Sequence, residues 1–248
     1  MRIAVAGGTG LAGSKVVEDL RAHGHEPVVL SRGQGVDLLT GAGLTDALQG
    51  TDAVIDAVNV VTTSRRKSAA FFTATTQHLL DGARRAGVGH YVVLSIVGID
   101  RVDFGYYEGK RRQEELALES DVPVTVLRAT QFHDFPEQLL KRSPGPVAFV
   151  PQMTSQTVDT REVAAELVRL AIGPARGHVE IAGPEVHSIP DLARRIVEAD
   201  GRRQRVLAVP LPGAAGRAMR NGGLLPTADG PRGTVRFEDW LATSRRSD

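Results

Sequence analysis

Short apolar runs alternate with segments of helical periodicity through the first 130 residues. Five apolar runs predict strands, at residues 3–6, 27–30, 53–58, 91–94 and 124–127. Apolar residues at helical spacing predict helices between them, among them residues 44–48, 71–86 and 106–118, with Gly87 as a C-cap. Near-continuous apolar strands separated by helices are typical of βαβ units. The pattern therefore predicts an α/β fold with a doubly wound, mostly parallel sheet.

The pattern changes after residue 130, where prolines interrupt the chain. Three more helices are predicted, at residues 160–172, 188–199 and 212–221, and a glycine-rich loop at 222–233. The sequence shows no internal repeat and no linker long enough to separate a second domain. We therefore expect one domain over residues 1–248, with a core at 1–130 and a mixed portion at 131–248. This second portion is expected to form a small substrate cap over the mouth of the sheet, where open α/β sheets bind ligands.

A glycine loop follows the first predicted strand. Residues 7–13 read Gly-Gly-Thr-Gly-Leu-Ala-Gly and lead directly into a helical pattern. Gly7 permits a sharp turn, Gly10 a close approach of the backbone to a ligand, and Gly13 the packing of helix on strand. A helix N-terminus with exposed N–H groups favours a pyrophosphate. A glycine-rich turn without a ligand is the alternative, but the strand–loop–helix–strand context favours dinucleotide binding.

The residues after the second strand indicate which dinucleotide binds. Ser31 and Arg32 follow the apolar run, and no Asp or Glu occurs before Asp37. An acidic residue here would accept hydrogen bonds from the ribose of NAD, whereas an Arg accommodates the 2′-phosphate of NADP. A guanidinium bonds a phosphate through two parallel donors. We therefore predict NADP(H) as the cofactor in preference to NAD(H), although a simple surface Arg would look the same.

Composition excludes several other classes of function. The chain has 248 residues, 42% of them hydrophobic, with a formal net charge of +1, so nothing indicates a nucleic-acid or membrane partner. It has no cysteine, which excludes disulfides and thiolate chemistry. The seven histidines are scattered, and the one close pair, His23 and His25, suits a polar turn, so no metal site is predicted. No apolar run of eighteen residues occurs and the chain enters a strand at once, so a cytoplasmic location is expected. The tail 244–248 is expected to be solvated.

One set of residues could carry proton transfer. Tyr106 and Lys110 stand four residues apart at the start of a predicted helix and so share a face. A nearby ammonium stabilises phenolate and would lower the pKa of Tyr106. Ser95, at the end of the fourth strand, could bond a substrate oxygen. An ordinary amphipathic Tyr–Lys pair is the alternative, and Tyr107, three residues before Lys110, is the weaker candidate for the acid.

These motifs resemble the short-chain dehydrogenase/reductase superfamily, and most closely its atypical, NmrA-like NAD(P)H-binding branch. The resemblance rests on Gly7-x-x-Gly10-x-x-Gly13, Ser95 and Tyr106-x-x-x-Lys110. Further matches are residues 91–98, 126–132 and 181–185, and Trp240-Leu241 near the C-terminus. The resemblance covers the chain to about residue 200 and implies a Rossmann fold. None of the motifs is specific to a substrate.

The resemblance also implies roles for individual residues. Those implied along the cofactor are Gly7, Thr9, Gly10 and Leu11 at the pyrophosphate, Arg32 at the 2′-phosphate, Asp37 and Leu38 at the adenine, and Val58 and Asn59 at the ribose. Tyr106 would be the acid–base group, and Lys110 would hold the nicotinamide ribose. The chain departs from many relatives where Asn59 stands in place of an Asn-Ala-Gly run. Residues 62–67 are expected to form a polar, basic loop instead.

Three functions remain open. The first is NADP(H)-dependent reduction of a small carbonyl, quinone or enone-type substrate, with Gln131, Phe132, His133 and Met153 as candidate substrate contacts. The second is a non-catalytic NADP(H) redox sensor that binds a partner protein. The third is a nucleoside-diphosphate-sugar epimerase or dehydratase, for which Arg65-Arg66-Lys67 is the nearest basic cluster; a solvated helix start would explain that cluster equally well. The sequence leaves open whether the protein is a monomer or a homodimer.

Overall fold

The computed structural model describes residues 1–245, and its elements follow the alternation of the sequence. The first part of the chain comprises β1 (Arg2–Ala6), α1 (Leu11–Ala22), β2 (Glu26–Leu30), a 3-10 turn (Arg32–Gln34), α2 (Leu44–Ala47), β3 (Ala53–Asp56), α3 (Arg65–Ala86), β4 (His90–Ile96), α4 (Gly105–Leu118) and β5 (Val124–Ala129). The later part comprises α5 (Phe135–Lys141), β6 (Val147–Pro151), β7 (Thr154–Ser155), α6 (Thr160–Ala171), β8 (Gly177–Ile181), β9 (His187–Ser188), α7 (Ile189–Ala199), β10 (Arg205–Val209), α8 (Gly213–Arg220) and α9 (Phe237–Ser244).

Six strands form one sheet in the order β2-β1-β3-β4-β5-β8. The pairs β1–β2, β1–β3 and β3–β4 are parallel, with Val5 opposite Val29 on one side and Ile55 on the other. The central strands are buried along nearly their whole length, as expected for a sheet covered on both faces. The predicted α/β fold with a mostly parallel sheet is confirmed.

The chain divides into two compact units with interleaved segments. The first unit contains residues 1–96, 104–128 and 161–179. Its core joins strand residues such as Val54 and Val93 to helix residues such as Leu79 and Ala83. The second unit contains residues 97–103, 129–160 and 180–248, of which 246–248 lie outside the described part. In it, β6 pairs with β10 in parallel and β7 pairs with β9 in antiparallel.

Two predicted boundaries are wrong, each for a local reason. The third strand ends at Asp56 rather than at residue 58, because the Asp56 carboxylate accepts the Val58 N–H at 3.0 Å and turns the chain. The helix predicted to start at Phe71 begins at Arg65, so the expected basic loop at 62–67 ends at Ser64. The Ser64 hydroxyl accepts the Lys67 N–H at 3.4 Å as an N-cap.

The C-terminal segment also departs from expectation within the residues described. Arg245 is not simply solvated, because its Nε donates to Asp200 at 2.5 Å and its Nη2 to Glu137 at 3.1 Å. The other charged tail residues, Arg246 and Asp248, lie outside the described residues. The prediction of a solvated tail is therefore wrong for Arg245.

Candidate functional site

The direction in which successive strands are added to the sheet reverses between β1 and β3. From β1 the chain passes to β2 on one side, and then returns to β3 on the other. Open α/β sheets bind ligands beyond the carboxyl ends of their strands at this switch point. The glycine loop follows β1, Arg32 follows β2, Asn59 follows β3, and Ser95 stands near the end of β4. These four candidates, all in the first unit, thus lie at the carboxyl ends of neighbouring strands.

The glycine loop is shaped by close backbone contacts. Gly7 has φ +75°, and a Cβ there would lie 2.7 Å from the Ala57 carbonyl oxygen. A Cβ on Gly13 would lie 2.1 Å from the Gly7 carbonyl oxygen, which fixes helix α1 against the loop. The structure therefore explains why both positions require glycine, independently of any ligand.

The N-terminus of α1 has the properties of an anion site. Gly10 occupies the N-cap position without a side-chain cap, and no acidic residue stands in the first turn. Thr9, Gly10 and Leu11 are exposed. The first N–H groups of a helix have no acceptor within the helix, and the helix dipole favours negative charge there. These residues fit the pyrophosphate of a dinucleotide, which would lie along Gly7 to Gly13.

The residues after β2 present one cation to the solvent. Arg32 is exposed, and its guanidinium has no hydrogen bond or ion pair within residues 1–245. Ser31 is its half-buried neighbour and makes no side-chain cap. The Asp37 carboxylate accepts the Leu39 N–H at 2.8 Å and so closes its own turn, while Leu38 packs partly against the core. Contacts of Asp37 and Leu38 with an adenine stay a prediction.

Tyr106 is joined to the segment that follows β3. Its hydroxyl donates to the exposed Asn59 side-chain oxygen at 2.7 Å. The first turn of α4 is also fixed to α3, because the Ser68 hydroxyl donates to the Tyr106 carbonyl oxygen at 2.6 Å. Gly109 makes this close packing possible, since a Cβ there would lie 2.3 Å from the Ser68 hydroxyl oxygen. The structure thus brings together Tyr106 and Asn59, two residues predicted separately from the sequence.

Lys110 lies between the ends of β3 and β4. Its ammonium donates to the Leu94 carbonyl at 2.8 Å, to the Gln113 side-chain oxygen at 2.8 Å and to the Val58 carbonyl at 3.5 Å. The Nζ atom also stands 4.6 Å from the centre of the Phe72 ring. Burial lowers the pKa of Lys110 to about 8, although nearby carboxylates oppose that effect.

The expected lowering of the Tyr106 pKa by Lys110 does not occur in this structure. Burial raises the pKa of Tyr106, and the neighbouring Tyr107 raises it further. The Lys110 ammonium is directed to backbone carbonyls and Gln113 rather than to the phenol. The prediction of a Lys110-depressed phenol is therefore corrected: the Tyr106 phenol keeps its proton.

Ser95 carries a buried hydroxyl without a partner. The residue is 2% exposed, and its oxygen makes no hydrogen bond within the described part of the chain. Leaving a buried hydroxyl unpaired costs on the order of 1–3 kcal/mol, so a hydrogen bond to a ligand oxygen would remove that cost. Because the oxygen is enclosed, such a bond requires the local packing to open.

The predicted substrate residues lie in the second unit and are mostly packed. His133 is 1% exposed, with Nδ1 2.8 Å from the Thr157 hydroxyl and Nε2 3.1 Å from the Val235 carbonyl oxygen. Its ring contacts Phe237 at a centroid distance of 5.5 Å. The contacts of the other three are as follows: Gln131 accepts from Ser155 at 2.6 Å, Phe132 is half-buried, and Met153 is 6% exposed.

The sequence reasoning missed three buried polar residues beside Lys110. Asp56 and Gln113 are 0% exposed, and Tyr91 is likewise fully enclosed. A signal was available, because Asp56 interrupts an apolar strand and a buried charge requires partners. Gln113 stands three residues after Lys110, on the same helix face.

The described residues hold neither a metal-binding cluster nor a membrane-spanning helix. Across residues 1–245, no group of three or more His, Cys, Asp or Glu side chains could hold a metal ion. Over the same residues, no helix is both long and apolar enough to cross a membrane.

The comparisons with known proteins agree with this geometry. The sequence profile of the NAD(P)H-binding family matches residues 7–172, about two thirds of the chain. An epimerase family protein of Bos taurus is 39% identical over 74 residues, which are 29% of this chain. The chain spans only 25% of the length of that relative.

Solved structures match over nearly the whole chain. The NADPH-dependent quinone oxidoreductase of Escherichia coli, solved with NADPH, has a TM-score of 0.72 at 18% identity, with 98% of this chain and 99% of that chain covered. The triphenylmethane reductase of Citrobacter sp., solved with NADP(H), has a TM-score of 0.73 at 17% identity, with the same coverage. At these identities the likeness establishes a shared fold. The resemblance predicted from the sequence motifs is confirmed.

Proposed function

The chain belongs to the NAD(P)H-binding family, and from that premise we propose that it is an NADP(H)-dependent reductase of a small carbonyl, quinone or enone-type substrate. The observation that carries the proposal is the placement of Tyr106, Asn59 and Lys110 at the carboxyl ends of β3 and β4. The glycine cradle that begins the neighbouring helix α1 supports a dinucleotide beside them.

Arg32 supports NADP(H) as the cofactor. It is the exposed guanidinium directly after β2, where a 2′-phosphate would be recognised, and no carboxylate of the described residues pairs with it. Two fold relatives, the quinone oxidoreductase and the triphenylmethane reductase, were solved with NADPH and NADP(H). When bound, NADPH would supply the hydride, and this chain's residues would supply binding and the proton.

The proton donor in this proposal is Tyr106. A donor has to hold its proton until the substrate oxygen gains charge, and the raised pKa of Tyr106 keeps the phenol protonated at neutral pH. Lys110 would hold the nicotinamide ribose. With its ammonium turned toward Tyr106, it would also favour proton transfer by stabilising the phenolate. Ser95 would donate its unpaired hydroxyl hydrogen to the substrate oxygen.

The direct test is oxidation of NADPH in the presence of a panel of quinones, aldehydes and enones, followed at 340 nm. Binding of NADPH and NADP⁺ is measured in parallel by calorimetry. Steady oxidation with one class of substrate supports the proposal. Tight binding without turnover on any of them contradicts it and favours a redox sensor.

An epimerase is the second candidate, supported by the short match to an epimerase family protein. A nucleotide-sugar enzyme needs a second diphosphate site. The basic cluster at 65–67 serves it poorly, because Arg65 donates to Glu108 at 2.7 Å and so joins α3 to α4. Conversion of UDP-sugars without net consumption of cofactor would favour this candidate over the reductase.

We predict that NADPH binding weakens above a pH of about 8. Lys110 carries its charge below that pH and loses it above, because burial lowers its pKa to about 8. Losing the charged donor to the ribose costs roughly tenfold in Kd. Kd is measured by nucleotide fluorescence from pH 6.5 to 9.5, with Lys110→Arg as the control that stays charged. A wild-type profile that is flat over this range contradicts the role of Lys110.

We also predict separate roles for two neighbours in the second unit. Phe132, half-buried, is proposed to contact substrate, so Phe132→Ala should raise KM about five- to tenfold by the loss of apolar contact, with the Kd of NADPH unchanged. His133→Leu should instead lower the melting temperature, because the His133 ring hydrogen-bonds Thr157 inside the unit. If Phe132→Ala weakens NADPH binding as well, the segment serves as structural support.

A further inference from the structure

A buried chain of hydrogen bonds runs from the end of β3 to the ammonium of Lys110. The Asp56 Oδ2 atom accepts from Gln113 Nε2 at 2.7 Å, and Gln113 Oε1 accepts from Lys110 Nζ at 2.8 Å. The amide of Gln113 thus turns its donor to the carboxylate and its acceptor to the ammonium. One amide links the two opposite charges.

The carboxylate itself is held in place by further donors. The Tyr91 hydroxyl donates to Asp56 Oδ2 at 2.6 Å, and the Val58 N–H donates to Oδ1 at 3.0 Å. Asp56, Tyr91 and Gln113 are each 0% exposed. Such a fully enclosed charge is costly unless its hydrogen bonds are satisfied and an opposite charge lies near.

Of the two carboxylates that favour the charged form of Lys110, Asp56 contributes more than Glu114. Strand β4 offers the Leu94 carbonyl, and α3 offers the uncharged Phe72 ring. On α4 the phenols of Tyr106 and Tyr107 are neutral, and the second carboxylate, Glu114, is paired with the Arg128 guanidinium. Among the described contacts of Lys110, the path through Gln113 is the one that leads to a carboxylate.

We propose that Asp56 is a positioning residue that acts through Gln113 to keep Lys110 protonated and fixed between the ends of β3 and β4. Burial disfavours the ammonium, and a carboxylate at one amide's distance offsets that penalty in a low-dielectric interior. The functional meaning of this arrangement rests on the proposed function, because Lys110 is there assigned to the cofactor. The coupling of the charges is a property of the folded chain and is tested without substrate.

The chain's composition makes a direct measurement practical. It contains four lysines, at positions 15, 67, 110 and 141. Protein labelled with ¹³C-lysine therefore gives four side-chain signals in an NMR titration, and the signal absent from Lys110→Arg identifies Lys110. For each variant, the Lys110 signal is followed from pH 6 to 11 and the melting temperature is measured separately.

We expect Asp56→Asn to lower the pKa of Lys110 by about one pH unit or more, because the offsetting charge is removed. Gln113→Met should lower it similarly, because it breaks the bridge while both charges remain. Tyr91→Phe is the matched control, since it also removes a buried hydrogen bond of Asp56 but leaves the path to Lys110 intact. It should reduce the melting temperature without moving the Lys110 titration.

Two results would overturn the proposal. One is an unchanged pKa of Lys110 in both Asp56→Asn and Gln113→Met when these variants are folded. If Asp56→Asn does not fold, Gln113→Met alone decides. The other is an equal displacement in Tyr91→Phe, which would indicate general loosening of the core. The alkaline weakening of NADPH binding should move with the Lys110 titration. If the titration moves and binding does not, the coupling stands and the assignment of Lys110 to the cofactor is wrong.

Discussion

Tyr106→Phe should slow reduction by roughly 10²–10⁴-fold while NADPH still binds, because removing one phenol oxygen removes the general acid and little else. Within residues 1–245 the hydroxyl makes one hydrogen bond, to Asn59 at 2.7 Å, so the folded structure loses about 0.5–1.5 kcal/mol. Single-turnover oxidation of NADPH at saturating substrate separates the chemical step from binding.

Tyr107→Phe is the matched control for this prediction. Tyr107 is the next residue on α4, is 5% exposed, and shares an edge-to-face contact with Tyr106. Its variant makes the same chemical change in the same helix turn, yet we expect a nearly unchanged rate. Full activity of Tyr106→Phe on a confirmed substrate would falsify the assignment, and loss of activity in Tyr107→Phe alone would transfer the role.

The pH behaviour of the wild type offers an independent check on this assignment. The pKa of Tyr106 is raised by burial, so its phenol remains protonated through the range in which Lys110 loses its proton. An alkaline loss of activity near pH 8 is therefore expected to come from Lys110. Replacing Lys110 by Arg should move this loss of activity to higher pH. Tyr106→Phe should lower the rate at every pH without changing the pH at which activity is lost.

The sequence predicted those features that depend on local chemistry. Gly7 and Gly13 could be assigned because a tight strand-to-helix turn tolerates no Cβ, and the structure shows both contacts. The sheet was also predictable from a local pattern. A sheet buried on both faces requires near-continuous apolar strands, and the alternation of such strands with helices is visible in the sequence. The start of α3 was missed because Arg65, Arg66 and Lys67 carry no apolar periodicity. The Ser64 cap determines the start instead.

The rest depended on residues distant in the chain. Gln113 lies 57 positions from Asp56, so no local pattern relates them. The partnership of Tyr106 with Asn59 spans 47 positions and likewise arises only when α4 packs beside the end of β3. The same folding directs the Lys110 ammonium to carbonyls instead of the phenol, which is why the pKa shift predicted for Tyr106 had the wrong direction.

Arg32→Ala should remove the preference of the protein for NADPH over NADH. If the guanidinium pairs with the 2′-phosphate, its removal costs about 1.5–3 kcal/mol, the range for a hydrogen bond to a charged group, and so weakens NADPH binding roughly ten- to 150-fold. Binding of NADH, which has no such phosphate, should hardly change. Arg32 is exposed and has no ion pair within residues 1–245, so its removal should leave the melting temperature unaltered.

The measurement can isolate the phosphate contact from the rest of the cofactor. Adenosine 2′,5′-bisphosphate and 5′-AMP differ only by the 2′-phosphate, and the ratio of their Kd values in wild type and Arg32→Ala reports that group alone. Arg85→Ala is the matched control, because Arg85 is an exposed arginine in the last turn of α3, away from the carboxyl ends of the strands. We expect the ratio to collapse toward one in Arg32→Ala and to persist in Arg85→Ala. A wild-type protein that binds both fragments equally, or prefers NADH, would show that Arg32 is a solvated surface residue that does not select NADP(H).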